Sequence, residues 1–328
     1  MKTSHRLRGI AALAALTAGA VLAVCAPAAA QTFPARPVKL VVPYTPGGAA
    51  DILGRVVADG LGRRLGQSVI VENKPGAGGA IAAKYVADSP ADGYTLLLGG
   101  TTPLVLYPLL YEHQAYDARK DFTGVGMLAY SPLVLVVNAK SPVHAMGEFV
   151  KASRAGSLAY GSAGNGTAMN IAGELFKSQT GADLMHVPYK GSPPALNALI
   201  AGDIASVFDL VASAKPFIDG GRLRPLAVLS SQRSGVLPDV PTLRELGYKD
   251  FDFSVRYALI APSATPPAAI ARLNGELNAV LRDPAVSRQL ATLALDVMPG
   301  PPEAVMDFAR NEIERLAPVI KNGGIRLD

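Results

Sequence analysis

The chain has 328 residues, 49% of them hydrophobic, which is length and apolar content for about two domains with sizeable cores. Its net charge of +5 sits partly in the first 30 residues, which hold three Lys/Arg and no Asp/Glu; removing them leaves 28 basic against 26 acidic residues, or +2. That balance, with no Lys/Arg-rich run, argues against a nucleic-acid surface.

Residues 1–30 read as a secretory signal peptide. Lys2, His5, Arg6 and Arg8 form a basic start, Ile10–Cys25 is apolar and small, and Ala28-Ala29-Ala30 supplies an A-x-A cleavage site. The apolar run is short for a membrane span of roughly 20 residues. Leu22-Ala23-Val24-Cys25 also resembles a lipoprotein box, although Val24 is bulky where a small residue is wanted, so lipid anchoring at Cys25 stays a lesser alternative. Cleavage after Ala30 leaves no cysteine, and no later stretch is long and apolar enough to cross a membrane. The expected mature product is soluble and exported.

Val38–Pro43 is a continuous apolar run that suits a strand buried on both faces. The Tyr44-Thr45-Pro46-Gly47-Gly48 turn follows, then a helix with Ile52, Leu53, Val56, Val57, Leu61 and Leu65 on one face. A strand at Val69–Glu72, a turn at Asn73–Gly79, a helix at Ala80–Ala87 and a strand at Tyr94–Leu98 complete a doubly wound parallel pattern. Phe122–Leu128 and Leu133–Asn138 read as two strand-like runs, and Ser141-Pro142 as a helix start. The pattern then restarts. Strands are expected at Ser157–Gly161, Asp183–Tyr189, Ile204–Leu210 and Leu226–Ser230, and helices at Ala168–Gln179 and Ser192–Ala201, with a turn at Phe217–Gly221. A short helix is expected from Pro238 to Gly247, a return crossing at Phe251–Pro262, and helices at Pro266–Leu281, Pro284–Leu293 and Pro302–Lys321 with no strand between the last two. The expected architecture is α/β in two lobes, 31–130 with 254–328 and 131–253, each with a doubly wound sheet, joined by two crossings around a cleft.

In such sheets ligands bind beyond the carboxyl ends of the strands. The Pro46-Gly47-Gly48 turn and the Gly99–Thr102 turn lie there, and so does Ser162-Ala163-Gly164-Asn165-Gly166-Thr167 in the second lobe. Backbone N–H groups at a helix start make an anion site, but an ordinary strand-to-helix connection looks the same. Asp51 complements its helix dipole at least as readily as it meets a ligand. Ser162, Asn165 and Thr167 can cap the next helix or donate to a carboxylate. Asp209, at a strand end, can contact ligand or cap a turn. Two such turns with four or five donors could supply about 8 kcal/mol, equivalent to micromolar affinity.

Competing chemistry is thin. Gly76-Ala77-Gly78-Gly79 lacks the Gly-Lys-Ser/Thr ending of a phosphate loop. Tyr160 stands where a nucleophile elbow before Ser162 requires glycine. His113, His144 and His186 lack metal-ligand spacing, and His186 reads simply as a strand residue. No acid/base pair of carboxylates stands out, so no catalytic group, metal or cofactor is expected.

Seven stretches in order carry a resemblance: Tyr44–Asp51, Val71–Gly79, Ala91–Leu97, Tyr160–Thr167, His186–Gly191, Leu237–Thr242 and Ala261–Pro266. From Phe33 to Asp328 the chain resembles the Bug-type receptors, the periplasmic solute-binding proteins of tripartite tricarboxylate transporters. The resemblance implies a type II, Venus-flytrap periplasmic-binding fold. It implies a monomeric receptor that captures a small organic acid and hands it to a membrane permease with a large and a small subunit. Carried onto this sequence, the ligand site comprises Tyr44, Pro46, Gly47, Gly48 and Asp51, with Thr101 and Thr102, then Ser162, Gly164, Asn165, Gly166 and Thr167, and less firmly Asp209. The family usually has His where this chain has Asn170, also counted in the site, and Trp where it has Arg256. Arg256 could pair with a second ligand carboxylate, but a solvated hinge arginine is the simpler expectation. Three other functions stay open: a periplasmic sensor serving a signalling partner, an orphan binding protein, and a secreted hydrolase.

Overall fold

The computed structural model describes residues 33–156, 158–248, 251–322 and 325–326. The expected signal segment, 1–30, and its Cys25 lie outside the described residues. Strand β1 (Val38–Val42) is flanked by β2 (Val69–Asn73) and β3 (Thr95–Gly100), both parallel to it, with Leu40 opposite Val71 and Leu96. Val38, Leu40, Val41 and Val42 are all buried, as a strand covered on both faces requires.

Helix α1 (Ala49–Leu65) lays Leu53, Val57, Leu61 and Leu65 on that sheet and ends at Gly66, whose φ of 68° suits glycine. Gly54 lets the helix sit close: a Cβ there would meet Val42 at 3.0 Å and Leu98 at 3.2 Å. A short 3₁₀ turn (Ala77–Gly79) leads into α2 (Ala80–Ala87). After β3 the chain forms a π-helical turn over Thr101–Leu106 and the one-turn helix α3 (Tyr107–Leu110).

The two apolar runs expected at 122–128 and 133–138 are one strand, β4 (Phe122–Asn138). Phe122–Pro132 pairs antiparallel with β9 (Ser254–Pro262), and Leu133–Asn138 pairs antiparallel with β7 (Ser206–Leu210) and β8 (Leu223–Val228). Pro132 sits where the partners change, a position that tolerates a missing ladder N–H.

Helix α4 (Met146–Ala155) precedes β5 (Leu158–Ser162), then come α5 (Ala168–Thr180), β6 (Leu184–Pro188), α6 (Ser192–Ala201) and, after β7, α7 (Val211–Asp219). Helices α8 (Pro267–Leu281), α9 (Pro284–Ala291) and α10 (Glu303–Asn322) follow β9, with β10 (Asp296–Val297) between the last two. The sheet order is β2-β1-β3-β9-β4-β7-β5-β6, with β8 and β10 also paired to β4. Two parallel trios therefore flank an antiparallel centre. The fold is α/β with a mixed sheet.

Several local expectations are corrected. Ser141-Pro142 starts no helix; α4 begins at Met146. Phe217 lies inside α7 beyond Pro216, and β8 starts at Leu223. Residues 238–247 form turns around a bridge between Val228 and Thr242 instead of a helix. A strand, β10, does stand before α10, pairing Asp296 with Tyr130 and Val297 with Ala129. Each miss is a short segment whose state is set by a distant partner, which local pattern does not report. Among the described residues, no helix is long and apolar enough to cross a membrane.

Candidate ligand-binding site

The turn after β1 and the start of α6 meet. A Cβ at Gly47 or Gly48 would touch Pro193 at 3.8 and 3.7 Å, and one at Gly191 would overlap the Thr45 hydroxyl. The Ala49 N–H, at the start of α1, donates to Ser213 Oγ on α7 at 3.0 Å. Beside this contact a Cβ at Gly78 would overlap the Asn165 carbonyl oxygen. The Thr45–Ala49 turn thus meets Gly191–Pro193 and Ser213, and the Gly76–Gly79 turn meets Asn165 of the Ser162–Thr167 loop.

Two cavities adjoin at Pro43 and Tyr44. The inner one, about 20 Å³, is lined by Tyr44, Thr101, Thr102, Met169, Leu210 and Tyr257 among others. The outer one, about 220 Å³, lies between Gly76–Gly79, Ala163–Asn165 and Pro188–Lys190. The structure brings Tyr44, Thr101 and Thr102 to the inner cavity, and Gly164 and Asn165 to the outer one. Sequence reasoning missed Met169, Leu210 and Tyr257, and it treated Gly76–Gly79 as a plain turn. The signal for that turn was its glycine density: Gly76, Gly78 and Gly79 all have positive φ.

Most polar side chains of the predicted site serve the protein itself. Both Asp51 oxygens are occupied: Oδ2 accepts from the Gly47 N–H at 3.0 Å and from Arg55 at 2.9 Å, and Oδ1 accepts from Asn73 at 3.0 Å. Burial pushes its pKa up, but Arg55, Gly47 and Asn73 together hold it below the usual value. Tyr44 donates to Thr102 Oγ1 at 3.3 Å, and burial raises the phenol's pKa. Thr101 Oγ1 accepts from the Arg256 N–H at 2.9 Å, tying the π-turn to β9.

The hydroxyls of Ser162 and Thr167 both donate to the Gly164 carbonyl, at 3.1 and 2.7 Å. Thr167 also caps α5. Gly164 and Gly166 adopt φ of 131° and 72°, so this loop needs glycine at both. Asn170 Oδ1 accepts from the Gly166 N–H at 3.0 Å, closing the loop from below. The outward groups of this loop are therefore largely backbone. Pro46 and Gly47 are exposed, Gly48 is buried, and none of the three lines either cavity.

Asp209 is 1% exposed. Its Oδ1 accepts from Ser192 Oγ at 2.6 Å and from the Leu210 N–H at 2.7 Å, while Oδ2 has no protein partner. Burial pushes its pKa up to about 7, against the lowering effect of those two donors.

Arg256 turns away from both cavities. Its guanidinium pairs with Glu312 at 3.5 Å and lies 5.2 Å from the Phe308 ring centroid, both on α10. In this position it fastens β9 to α10 while staying partly solvated.

His186 is more than a strand residue. Its Nε2 is 2.7 Å from Ser162 Oγ, because β5 and β6 run parallel with Tyr160 opposite His186 and Ser162 opposite Pro188. This is a nucleophile–base distance that sequence spacing did not reveal. Its neighbours form a hydrogen-bonded set: Tyr160 donates to Glu174 at 2.7 Å and accepts from Asn170 Nδ2 at 3.0 Å. Asn170 Nδ2 also lies 3.3 Å from His186 Nδ1, an arrangement that favours the imidazole proton on Nε2, facing Ser162.

Comparison with known proteins agrees with this architecture. Residues 53–325 match TctC, the tripartite tricarboxylate transporter family receptor. The chain is 37% identical to Protein BugT of Bordetella pertussis over 325 residues, covering 98% of each chain. The solved structure of R. palustris Rpa4515 with adipate superimposes at a TM-score of 0.87 with 34% identity, over 90% of this chain and 99% of that one. MatC (Rpa3494) from Rhodopseudomonas palustris with bound malate gives 0.84 and 31%, over 88% and 100%. Family and fold are those of solute-binding proteins. With its match to TctC over residues 53–325 and its full-length similarity to Protein BugT, the chain belongs to the tripartite tricarboxylate transporter receptor family.

Proposed function

We propose that this receptor captures a small organic carboxylate between two lobes, 31–130 with 254–328 and 131–253, and delivers it to a membrane permease. The observation that supports this reading is the pair of cavities adjoining at Pro43 and Tyr44, lined by Thr101 and Thr102, by Gly76–Gly79 and by the Ala163–Asn165 loop. An inner cavity of about 20 Å³ takes about one water, so an acid enters only when the lobes part. The partner change at Tyr130–Leu133 in β4 and the segment entering β9 at Phe253–Ser254 are the natural hinges. Homologues of this chain have been solved with adipate and with malate, which supports an acid of similar class here. The ligand-facing residues would be Tyr44, Pro46, Gly47, Gly48, Thr101, Thr102, Gly164 and Asn165, helped by Tyr257. Asp51, Ser162, Gly166, Thr167 and Asn170 would shape the turns, and Asp209 would present its unpartnered oxygen.

In this reading the protein is exported, with cleavage near Ala30, acts as a monomer and performs no chemistry on its cargo. The tautomer of His186 supports the last point. A thermal-shift screen of the mature protein against an organic-acid panel tests the proposal. An acid at 100 times its dissociation constant should add about 2.7 kcal/mol of stability. Stabilisation by neutral sugars and by no acid would overturn it.

A further inference from the structure

The hydrogen bonds beneath the second-lobe loop form one directed chain. The Glu174 carboxylate, paired with Lys177 at 2.9 Å, accepts from Tyr160; Tyr160 accepts from Asn170; Asn170 donates to His186 Nδ1; His186 Nε2–H donates to Ser162; Ser162 donates to Gly164. Tyr160 is fully buried and stacks on His186 with centroids 4.9 Å apart. The direction is set at both ends, by the Glu174 oxygen that accepts from Tyr160 and by the Gly166 N–H, which holds Asn170 Oδ1. Every member is satisfied in one proton arrangement only.

We propose that His186 is a positioning residue for the Ser162–Thr167 ligand loop, held by Asn170 as the Nε2–H tautomer, so that the loop keeps its shape only while this imidazole is neutral. A proton on Nδ1 would face the Asn170 Nδ2–H. Turning the Asn170 amide over would relieve that clash by aiming Nδ2 at the Gly166 N–H. Either way one support of the loop is lost, at Ser162–Gly164 or at Gly166. The groups facing the ring are Tyr160 from β5 and Glu174 and Lys177 from α5. Burial, the largest influence, and Lys177 lower its pKa to about 4 against the opposing pull of Glu174. The loop is therefore set at neutral pH and released by acid. The tautomer and its loop stand whether or not a carboxylate binds; only the consequence for affinity rests on the function proposed above.

Long-range ¹H–¹⁵N spectra of the mature, ligand-free protein test this. At pH 7 His186 should carry its proton on Nε2. On acidification the Gly164 and Gly166 amide signals should move with the imidazole, with a shared midpoint near 4. Asn170→Asp should move the proton to Nδ1 and raise the midpoint above the ordinary histidine value of about 6.5. His186→Gln, which keeps a donor toward Ser162 and cannot titrate, should abolish the acid shift of the two glycines. An Nδ1–H tautomer in the wild type would overturn the proposal, as would glycine signals that ignore the imidazole or an acid shift that survives in His186→Gln.

Discussion

The Ala49 N–H and the Ser213 hydroxyl, 164 residues apart, are joined by a buried hydrogen bond of 3.0 Å. It links the first amide of α1 to α7. A helix N-terminus that would otherwise face water or an anion is here satisfied by a serine.

Ser213→Ala should loosen the closed form. A hydrogen bond of this kind contributes about 0.5–1.5 kcal/mol. The best acid from the screen should bind roughly two- to tenfold more weakly by calorimetry, and small-angle scattering of the free protein should show a larger radius of gyration. Unchanged scattering and affinity would remove the latch.

Gly78→Ala should block closure. The φ of 60° is strained for alanine, at about 1–2 kcal/mol, and the new methyl would overlap the Asn165 carbonyl. Gly66→Ala provides the control, with φ of 68° and nothing within 4 Å of the added atom. Both variants should melt a few degrees lower, but only Gly78→Ala should lose ligand affinity, by more than tenfold.

Asp209 gives the molecule a pH-dependent term of opposite sign to an ordinary paired carboxylate. Its folded pKa, about 7, lies above the unfolded value of 3.8. The stabilisation is complete below 3.8 and is lost as pH rises through 7. Asp209→Asn, which cannot ionise, should therefore gain on the wild type by up to a few kcal/mol between pH 4.5 and pH 8 in urea denaturation. A constant difference across that range would show that Asp209 ionises freely in the fold.

Arg256→Ala should leave ligand affinity unchanged and cost about 0.5–1 kcal/mol, since its pairing with Glu312 is partly solvated. A large loss of affinity with unaltered melting would return Arg256 to the cleft.

The local lessons of the sequence held where chemistry is local. Val38, Leu40, Val41 and Val42 are apolar because both faces of the strand are covered, with Lys39 alone reaching out to Glu72, and Gly66 and Gly181 end their helices in the left-handed region that glycine favours. The ordered turns at 44–51 and 160–167 were visible for the same reason, as glycine, proline and capping residues act within a few positions. Burial of α8 and α10 followed from their periodic apolar faces.

Which atoms those turns present was a different matter. Ser162 and Thr167 looked like ligand donors, yet their protons go to Gly164, and the histidine beneath them became visible only when β6 lay in register with β5. Arg256 could face cleft or solvent until α10 placed Glu312 and Phe308 beside it. The sequence by itself determined most of the strands, the glycine turns and the kinship, because these depend on neighbours in the chain. Tertiary structure alone decided which turn meets which, that His186 lies against Ser162 and that Arg256 meets Glu312, because those depend on pairings 24 to 164 residues apart that carry no local pattern.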